Sequence, residues 1–573
     1  FAGRVINSDS ESLWVDEGFS YWAIRDGNDL FDVVLNDVHP PIYFVMLKGW
    51  SSVTGLSEFA LRYLSLLPSL LAVAMVYQVA REILLQTNTR ASLVVVPLLA
   101  ALMFALADME NYIAQETRMY TWHVLWLTVS MWAFLRWLRT HKPTMQWLWF
   151  GASVLLLYTH YIGAAGIAVQ GIFALIFLRG RKRTVALSTL VAIVVLFVPW
   201  LLVVVGNQTE NVGTGFNVPS TLESLWQYRI EWFTQQWALN IGLALMGVWW
   251  LVNGYRRENF VSTDTYWGRM GIGDSWRYGV LLVLWVVVPV AGAYILNLFT
   301  PILIDYRLTQ ITPAVALLIA FGLGAFRGRT LLFLVMVILV YGIVIDDTPR
   351  PRPPWREVGM TATEYAQSGD LALAHVTPSG DWQVIYYYDR WMPEGVQNIS
   401  LRQWQLERGF DDYNANLPVL LDAHDHVWLM HWSSDTSAFE ILRETGHVQT
   451  ALMQSDWLGN DLNTYRFDRV PAVDEAIATY ESGMILRDSA IYPDSLQVEP
   501  GGHITKYVVE AFTLHDIAPE TALTEKLRQE WSTKAANKFN VNEKILANIN
   551  RNSNTRGAFL LALYEEILTS TKL

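Results

Sequence analysis

From Arg62 to Ile345 the chain is a succession of apolar runs, most of them close to the length of a bilayer crossing. A helix needs about 20 apolar residues to span the hydrocarbon core. Backbone in lipid must satisfy its own hydrogen bonds, which for uninterrupted runs of this kind means helices. The pattern predicts spans near 62–81, 92–108, 119–138, 146–159, 161–178, 185–205, 237–253, 279–299, 308–325 and 331–346. The fourth and fifth are short and meet at Thr159-His160-Tyr161, so one broken hairpin with its tip there is also compatible. Only 16% of the 573 residues are charged and 52% are hydrophobic, whereas a water-soluble protein carries about a quarter charged residues. After Asp346 charges, turns and short alternating runs return, and the chain reads as a soluble domain.

Loop charges orient the spans, because cytoplasmic loops concentrate Lys and Arg. One alternating set holds Arg81 and Arg90; Arg136, Arg139 and Lys142; Arg179, Arg181, Lys182 and Arg183; Arg256, Arg257, Arg269 and Arg277; and Arg327 with Arg329. The other set (1–60, 109–118, 159–161, 206–236 and 300–307) is much poorer in both. The first set is expected to be cytoplasmic. Residues 1–60 and 346–573 are then expected outside, on a plasma-membrane protein. The chain opens at Phe1 without an initiator methionine and enters a polar segment directly. We expect an apolar helix upstream of it.

Several function classes fall away. The absence of cysteine excludes a disulfide framework, thiolate zinc sites and a cysteine nucleophile. A net charge of −12 without a basic tract gives nothing to track a nucleic-acid backbone. His424, His426 and His431 do not make a zinc site on one strand, where the first two share a face and the third does not.

Groups that carry chemistry gather on the predicted outer side: Asp16-Glu17, His39-Pro40-Pro41, Glu116 with Arg118, His160-Tyr161, and Tyr306-Arg307. Charges at membrane depth are costly, and are usually functional or paired. Of two adjacent carboxylates, one can take a proton from an attacking hydroxyl. The other can pair with a cation, or the two can cap the helical run Gly18–Arg25. His39 is held extended by the proline that follows it. Arg62, Arg118 and Arg307, each near the outer end of a predicted span, suit a phosphate, because a guanidinium fork binds its oxygens bidentately. The same arginines can also snorkel or pair with carboxylates. Tyr120, His160 and Tyr161 can hydrogen-bond a polar ligand or serve as interfacial aromatics.

Taken in order, these elements resemble the glycosyltransferase-C superfamily, in its branch of protein O-mannosyltransferases and lipid A aminoarabinose transferases. The likeness runs through Leu13-Trp14-Val15-Asp16-Glu17, His39-Pro40-Pro41 and Phe59-Ala60-Leu61-Arg62-Tyr63-Leu64-Ser65. It continues through Gln115-Glu116-Thr117-Arg118-Met119-Tyr120, Tyr158-Thr159-His160-Tyr161, and Tyr306-Arg307-Leu308 to Pro313, covering residues 12–345. It implies a polytopic helical membrane domain and inverting transfer of a sugar from a polyprenyl-phosphate donor to an acceptor hydroxyl. Asp16 is the implied base, beside Glu17. His39, Arg62, Glu116, Arg118, Tyr120, His160, Tyr161, Tyr306 and Arg307 are the implied substrate-binding residues. The aminoarabinose branch has a glutamate before its proline pair where this chain has His39. No cofactor is expected beyond the lipid-phosphate sugar as substrate, and a divalent metal ion is compatible with the acidic pair. Membrane lipid is the implied surrounding, and glycolipid, protein and polymer are all compatible acceptors. A transporter or flippase of a lipid-linked sugar is the alternative, although no inverted repeat is visible.

The expected domains are therefore 1–61, the outer loop with the acidic motif; 62–346, the membrane transferase domain; 347–469, a soluble α/β domain; and 470–573, a β-rich then helical tail. Pro349–Pro354 reads as a hinge, followed by a helix from Trp355 to about Ser368. Strands are expected at Leu371–Val376, Gln383–Tyr388, His426–His431, Val448–Met453 and Leu462–Phe467. Further strands are expected at 476–480, 484–486, 496–498 and 504–509, with a turn at 499–502 and helix from Pro519 onward.

Overall fold

The computed structural model describes residues 11–37, 39–87, 92–207, 237–253, 276–298, 305–340, 352–376, 380–433, 435–457, 460–469, 496–497, 524–539 and 541–553, with a few isolated positions besides. The chain divides into two compact units, 1–10 with 22–351 and 11–21 with 352–573. The division falls inside the first described helix, α1 (Val15–Ile24), between Tyr21 and Trp22.

The larger unit is a helical bundle. Short helices α2 (Leu30–Leu35) and α3 (Ile42–Thr54) lead into α4 (Glu58–Gln86). Then come α5 (Val95–Ala105), α6 (Asp108–Ala114), α7 (Tyr120–Thr140), α8 (Pro143–Thr159), α9 (Gly163–Phe177) and α10 (Gly180–Asn207). After α11 (Trp237–Asn253) and α12 (Trp276–Asn297), a 3-10 helix over Asp305–Ile311 enters α13 (Thr312–Leu323), followed by α14 (Gly328–Val340). Within the described residues each of the ten apolar runs overlaps helix; 299 and 341–346 lie outside them.

Among the described residues, Glu58–Gln86, Gly180–Val203, Trp276–Asn297 and the run Tyr306–Leu323 are long and apolar enough to cross a membrane. The pair α5 and α6 would make a fifth, bent by 61° at its break, while α9, α14 and Trp237–Trp249 are shorter apolar helices. The protein is an integral membrane protein.

The bundle core is apolar, from Val76 and Ile83 on α4 through Phe134 on α7 and Trp149 on α8 to the wholly buried α13. Several polar atoms inside it are paired between helices. Trp149 Nε1 donates to Gln170 Oε1 at 2.7 Å, Gln170 Nε2 donates to Ser130 Oγ at 2.8 Å, and Ser130 meets Ser153 at 2.8 Å. Toward the C-terminal ends of α4 and α7, Arg139 forks onto both oxygens of Glu82, and Gln86 accepts from the Tyr278 hydroxyl at 2.8 Å.

Helices α11 and α13 cross backbone to backbone. A Cβ on Gly247 would stand 2.0 Å from the Leu318 carbonyl oxygen, and one on Gly322 would stand 2.0 Å from that of Leu243. Small residues permit such close crossings in membranes.

The smaller unit holds a six-stranded sheet in the order β2-β1-β3-β5-β4-β6. After α15 (Trp355–Tyr365) come β1 (Leu371–Val376), α16 (Trp382–Trp391), β2 (Gln397–Ser400), α17 (Leu401–Leu421) and β3 (His426–Trp432). Then follow α18 (Ser437–Glu444), β4 (His447–Trp457), β5 (Asn460–Arg469) and β6 (Leu496–Gln497). Strand β1 pairs in parallel with β2 and β3, whereas β5, β4 and β6 continue antiparallel. Leu371, Leu373, Val427 and Leu429 of the parallel strands pack with Tyr413 and Leu417 of α17.

One expected strand is a helix. Gln383–Tyr388 forms the middle of α16, with all six residues buried. A run buried on every side carries no usable periodicity, and tertiary packing overrides the β preference of Val, Ile and Tyr. The expected strands at 476–480, 484–486 and 504–509 and the turn at 499–502 lie outside the described residues. Helices α19 (Glu525–Phe539) and α20 (Glu543–Asn552) follow in the tail.

Gly322→Val should force α11 and α13 apart and lower the unfolding temperature of the detergent-solubilised protein by several degrees, since overpacking costs typically about 1–3 kcal/mol. Gly292→Val, at a position with no atom within 4 Å of an added Cβ, is the matched control. Equal stability of the two variants would show that the crossing does not need its glycines.

Candidate functional site

Within the bundle, one end collects the polar side chains. His39 precedes α3, Arg118 closes the turn before α7, His160 links α8 to α9, and Tyr306 and Arg307 open the 3-10 helix. Asp37 accepts from His39 Nδ1 at 2.9 Å, leaving Nε2 as the acceptor for Arg118 Nη2 at 3.3 Å. The imidazole is thereby set in its Nδ1–H tautomer, and it holds the guanidinium in place. Ser65 fixes the same residue from α4, donating to the Arg118 carbonyl at 2.8 Å.

His160 stands in the middle. Its ring lies 5.6 Å from that of His39, 5.8 Å from Tyr120 and 5.6 Å from His123, and Tyr120 packs on Tyr306 at 5.2 Å. His160 is within electrostatic range of His39, His123, Arg307 and Arg118. Arg118 and Arg307 thus bring two guanidinium charges within range of one imidazole, an arrangement suited to an anion.

Three further candidates have these neighbours. Arg62 is buried and 4.0 Å from Glu58, one turn back on α4. Tyr161 accepts from Trp200 Nε1 at 2.9 Å and packs on Phe197 of α10. Glu116 is fully buried in the turn that carries Arg118, whose N–H donates to its carbonyl at 2.8 Å.

Asp16 and Glu17 belong to the smaller unit, where Glu11–Tyr21 packs with the C-terminal residues. Glu17 is fully buried and accepts from Arg352 Nη1 at 2.8 Å, and Arg352 Nε lies 3.4 Å from Glu11. Ser12 donates to Glu357 at 3.2 Å, Leu13 N–H donates to the Tyr387 hydroxyl at 2.6 Å, and the Tyr21 hydroxyl donates to Asp389 at 2.9 Å. Phe19 meets Trp382 edge to face, 5.1 Å between ring centres. At Gly18 an added Cβ would fall 2.3 Å from the Gln383 nitrogen, so only glycine allows this approach. Asp16 itself is half-buried on the first turn of α1.

No family model matches the chain. No curated protein matches it. Among solved structures it is similar to ArnT from Cupriavidus metallidurans, bound to undecaprenyl phosphate and in the apo state, with TM-scores of 0.54 and 0.55. Identity is 12% in both; 81% of this chain is covered, and 96% and 95% of the ArnT chain respectively. The chain therefore shares the fold of ArnT.

On this scaffold several residues near the site escape sequence reasoning. Asp37 and Ser65 act through neighbours and have no signature of their own. His123 and Gln310 are polar residues inside apolar runs, one helical turn from Tyr120 and Arg307 respectively, and that placement is the signal available for them. Arg352 carries none, because its partner Glu17 lies 335 positions away. His424, His426 and His431 turn to separate partners, the Gly369 carbonyl, Asp468 and the Asp435 carbonyl.

Arg352→Met leaves Glu17 buried without its counter-ion, a loss of about 3–5 kcal/mol for a pair of this kind. Amide hydrogen exchange over residues 12–20 should accelerate, and the further change Glu17→Met should largely restore protection. If exchange in Arg352→Met matched the parent, this ion pair would not be what holds the segment.

Proposed function

We propose that the protein is an inverting glycosyltransferase that moves a sugar from a polyprenyl-phosphate donor to an acceptor hydroxyl on the non-cytoplasmic face of the membrane. The observation that carries this reading is the anion-suited end of the bundle, where Asp37 and His39 aim Arg118 while Arg307 faces the same His160. A lipid phosphate keeps its chain among apolar helices and presents its charge at such an end. The relative ArnT was crystallised with undecaprenyl phosphate, which supports the same assignment.

In the proposed step the acceptor oxygen bonds to the anomeric carbon as the bond from that carbon to the phosphate oxygen breaks. The bonding pair leaves with the phosphate, where Arg118 and Arg307 stabilise the developing charge. The acceptor proton passes to the Asp16 carboxylate. Attack opposite the phosphate inverts the configuration. Glu17, tied to Arg352, orients the segment that carries Asp16. The arginine-poor loops support placing this end and the C-terminal unit outside the cytoplasm.

Two measurements test the proposal. Asp16→Asn should slow turnover by about 100-fold or more with donor affinity near normal, whereas Arg118→Lys or Arg307→Lys should weaken donor binding, since a point charge cannot replace a fork. Full turnover in Asp16→Asn, or a product with retained configuration, would require another base or a covalent intermediate. For sidedness, the chain has no native cysteine, so single cysteines at Asp32, Glu407 and Lys182 can be labelled with an impermeant reagent. In intact cells the first two should react and the third should not; the reverse pattern would overturn the orientation.

A further inference from the structure

Beside the anion-suited groups lies a set of polar side chains that the proposed step does not use. His123, on the first turn of α7, is 2% exposed; Gln310, on the 3-10 helix, is 0% exposed; and Thr309 is 1% exposed. Gln310 lies beside the His123 ring, yet neither ring nitrogen, neither amide atom and not the Thr309 hydroxyl has a hydrogen bond of good geometry. His160 Nε2 is in the same condition. Buried polar atoms are rarely left so, and each needs an explanation. At membrane depth the usual explanation is function.

The backbone around these atoms is fixed. Trp285 Nε1 donates to the Gln310 carbonyl at 2.9 Å, which holds the 3-10 helix and presents the amide side chain. The Ile162 N–H donates to His160 Nδ1 at 3.2 Å. That bond takes the lone pair of Nδ1 and makes Nε2 an N–H donor. Gln310 offers both donors and an acceptor, a neutral His123 offers one of each, and Thr309 can do either. Such a set matches hydroxyl groups, which also give and accept. An ammonium or carboxylate would need an opposite charge to be held out of water, and these groups supply none. Tyr120 and Tyr306, 5.2 Å apart, add aromatic faces for the C–H side of a sugar ring.

We propose that His123, Gln310, Thr309 and His160 form the subsite for the sugar carried by the lipid phosphate, and that it selects an uncharged, hydroxylated sugar. The inference rests on the transferase reading. Gln310 follows Arg307 by one turn of the 3-10 helix, and His160 faces both the arginines and His123. Sugar and phosphate subsites are therefore contiguous, as the two halves of a glycosyl phosphate are.

The test compares three probes on the purified full chain in nanodiscs: a polyprenyl phosphate, the same lipid phosphate bearing an uncharged hexose, and the same bearing an amino sugar. The hexosyl lipid should bind at least about tenfold tighter than the bare one, the worth of one good hydrogen bond, and the amino sugar should gain nothing. His123→Phe and Gln310→Met should bring that ratio to about one with affinity for bare polyprenyl phosphate unchanged, which also shows that the variants fold. A ratio indifferent to both substitutions, equal losses for both lipids, or a preference for the amino sugar would overturn the subsite. Failure of the parent protein to bind any of the three lipids would overturn the transferase reading itself.

Discussion

Lipid chains accept and donate no hydrogen bonds, so a polar atom carried into the bundle has to find its partner among the helices. Most of the unit's architecture follows from how that demand is met. In mid-bundle the chain from Trp149 through Gln170 and Ser130 to Ser153 closes on itself across α7, α8 and α9. Where α4 and α7 end, Glu82 takes the fork of Arg139. These are saturated networks, and a saturated network makes for rigidity and a single register. The opposite end is built differently. Some polar atoms there hold one another, as in Asp37, His39 and Arg118, and others, in His123 and Gln310, lie side by side without a bond of good geometry. The two ends of the bundle thus differ in how fully their polar atoms are paired.

How far the sequence could be read follows from the range of each signal. Apolar runs are local, so the predicted spans overlap helix wherever the residues are described, with the ends shifted by a few residues, as in 62–81 against Glu58–Gln86. The bend between α5 and α6 was hidden because Leu106 and Ala107 continue the apolar run; polarity rises only at Asp108. Alternation failed at Gln383–Tyr388, where burial on every side erased the pattern. The expected site residues rest on chemical type, predicted side and the order of the motifs that carry the family resemblance. The structure brings His39, Arg118, Tyr120, His160, Tyr306 and Arg307 to one end of the bundle, and turns Tyr161 toward α10 and Arg62 toward Glu58. Which buried polar groups would meet was beyond reach, since His123 and Gln310 come together only through the packing of α7 on the 3-10 helix.

The Glu17–Arg352 pair joins residues 335 positions apart, and that separation has a temporal side. A ribosome adds about 5–20 residues per second, so roughly twenty seconds to a minute pass between the synthesis of α1 and that of its anchor. Throughout that time the segment bearing Asp16 has neither Arg352 nor Tyr387 nor Trp382 to dock against. The helices made in between can insert and pack while it waits. The acidic segment is therefore made well before the residues that fix it, and its local order waits on the synthesis of a partner that lies beyond the whole helical bundle.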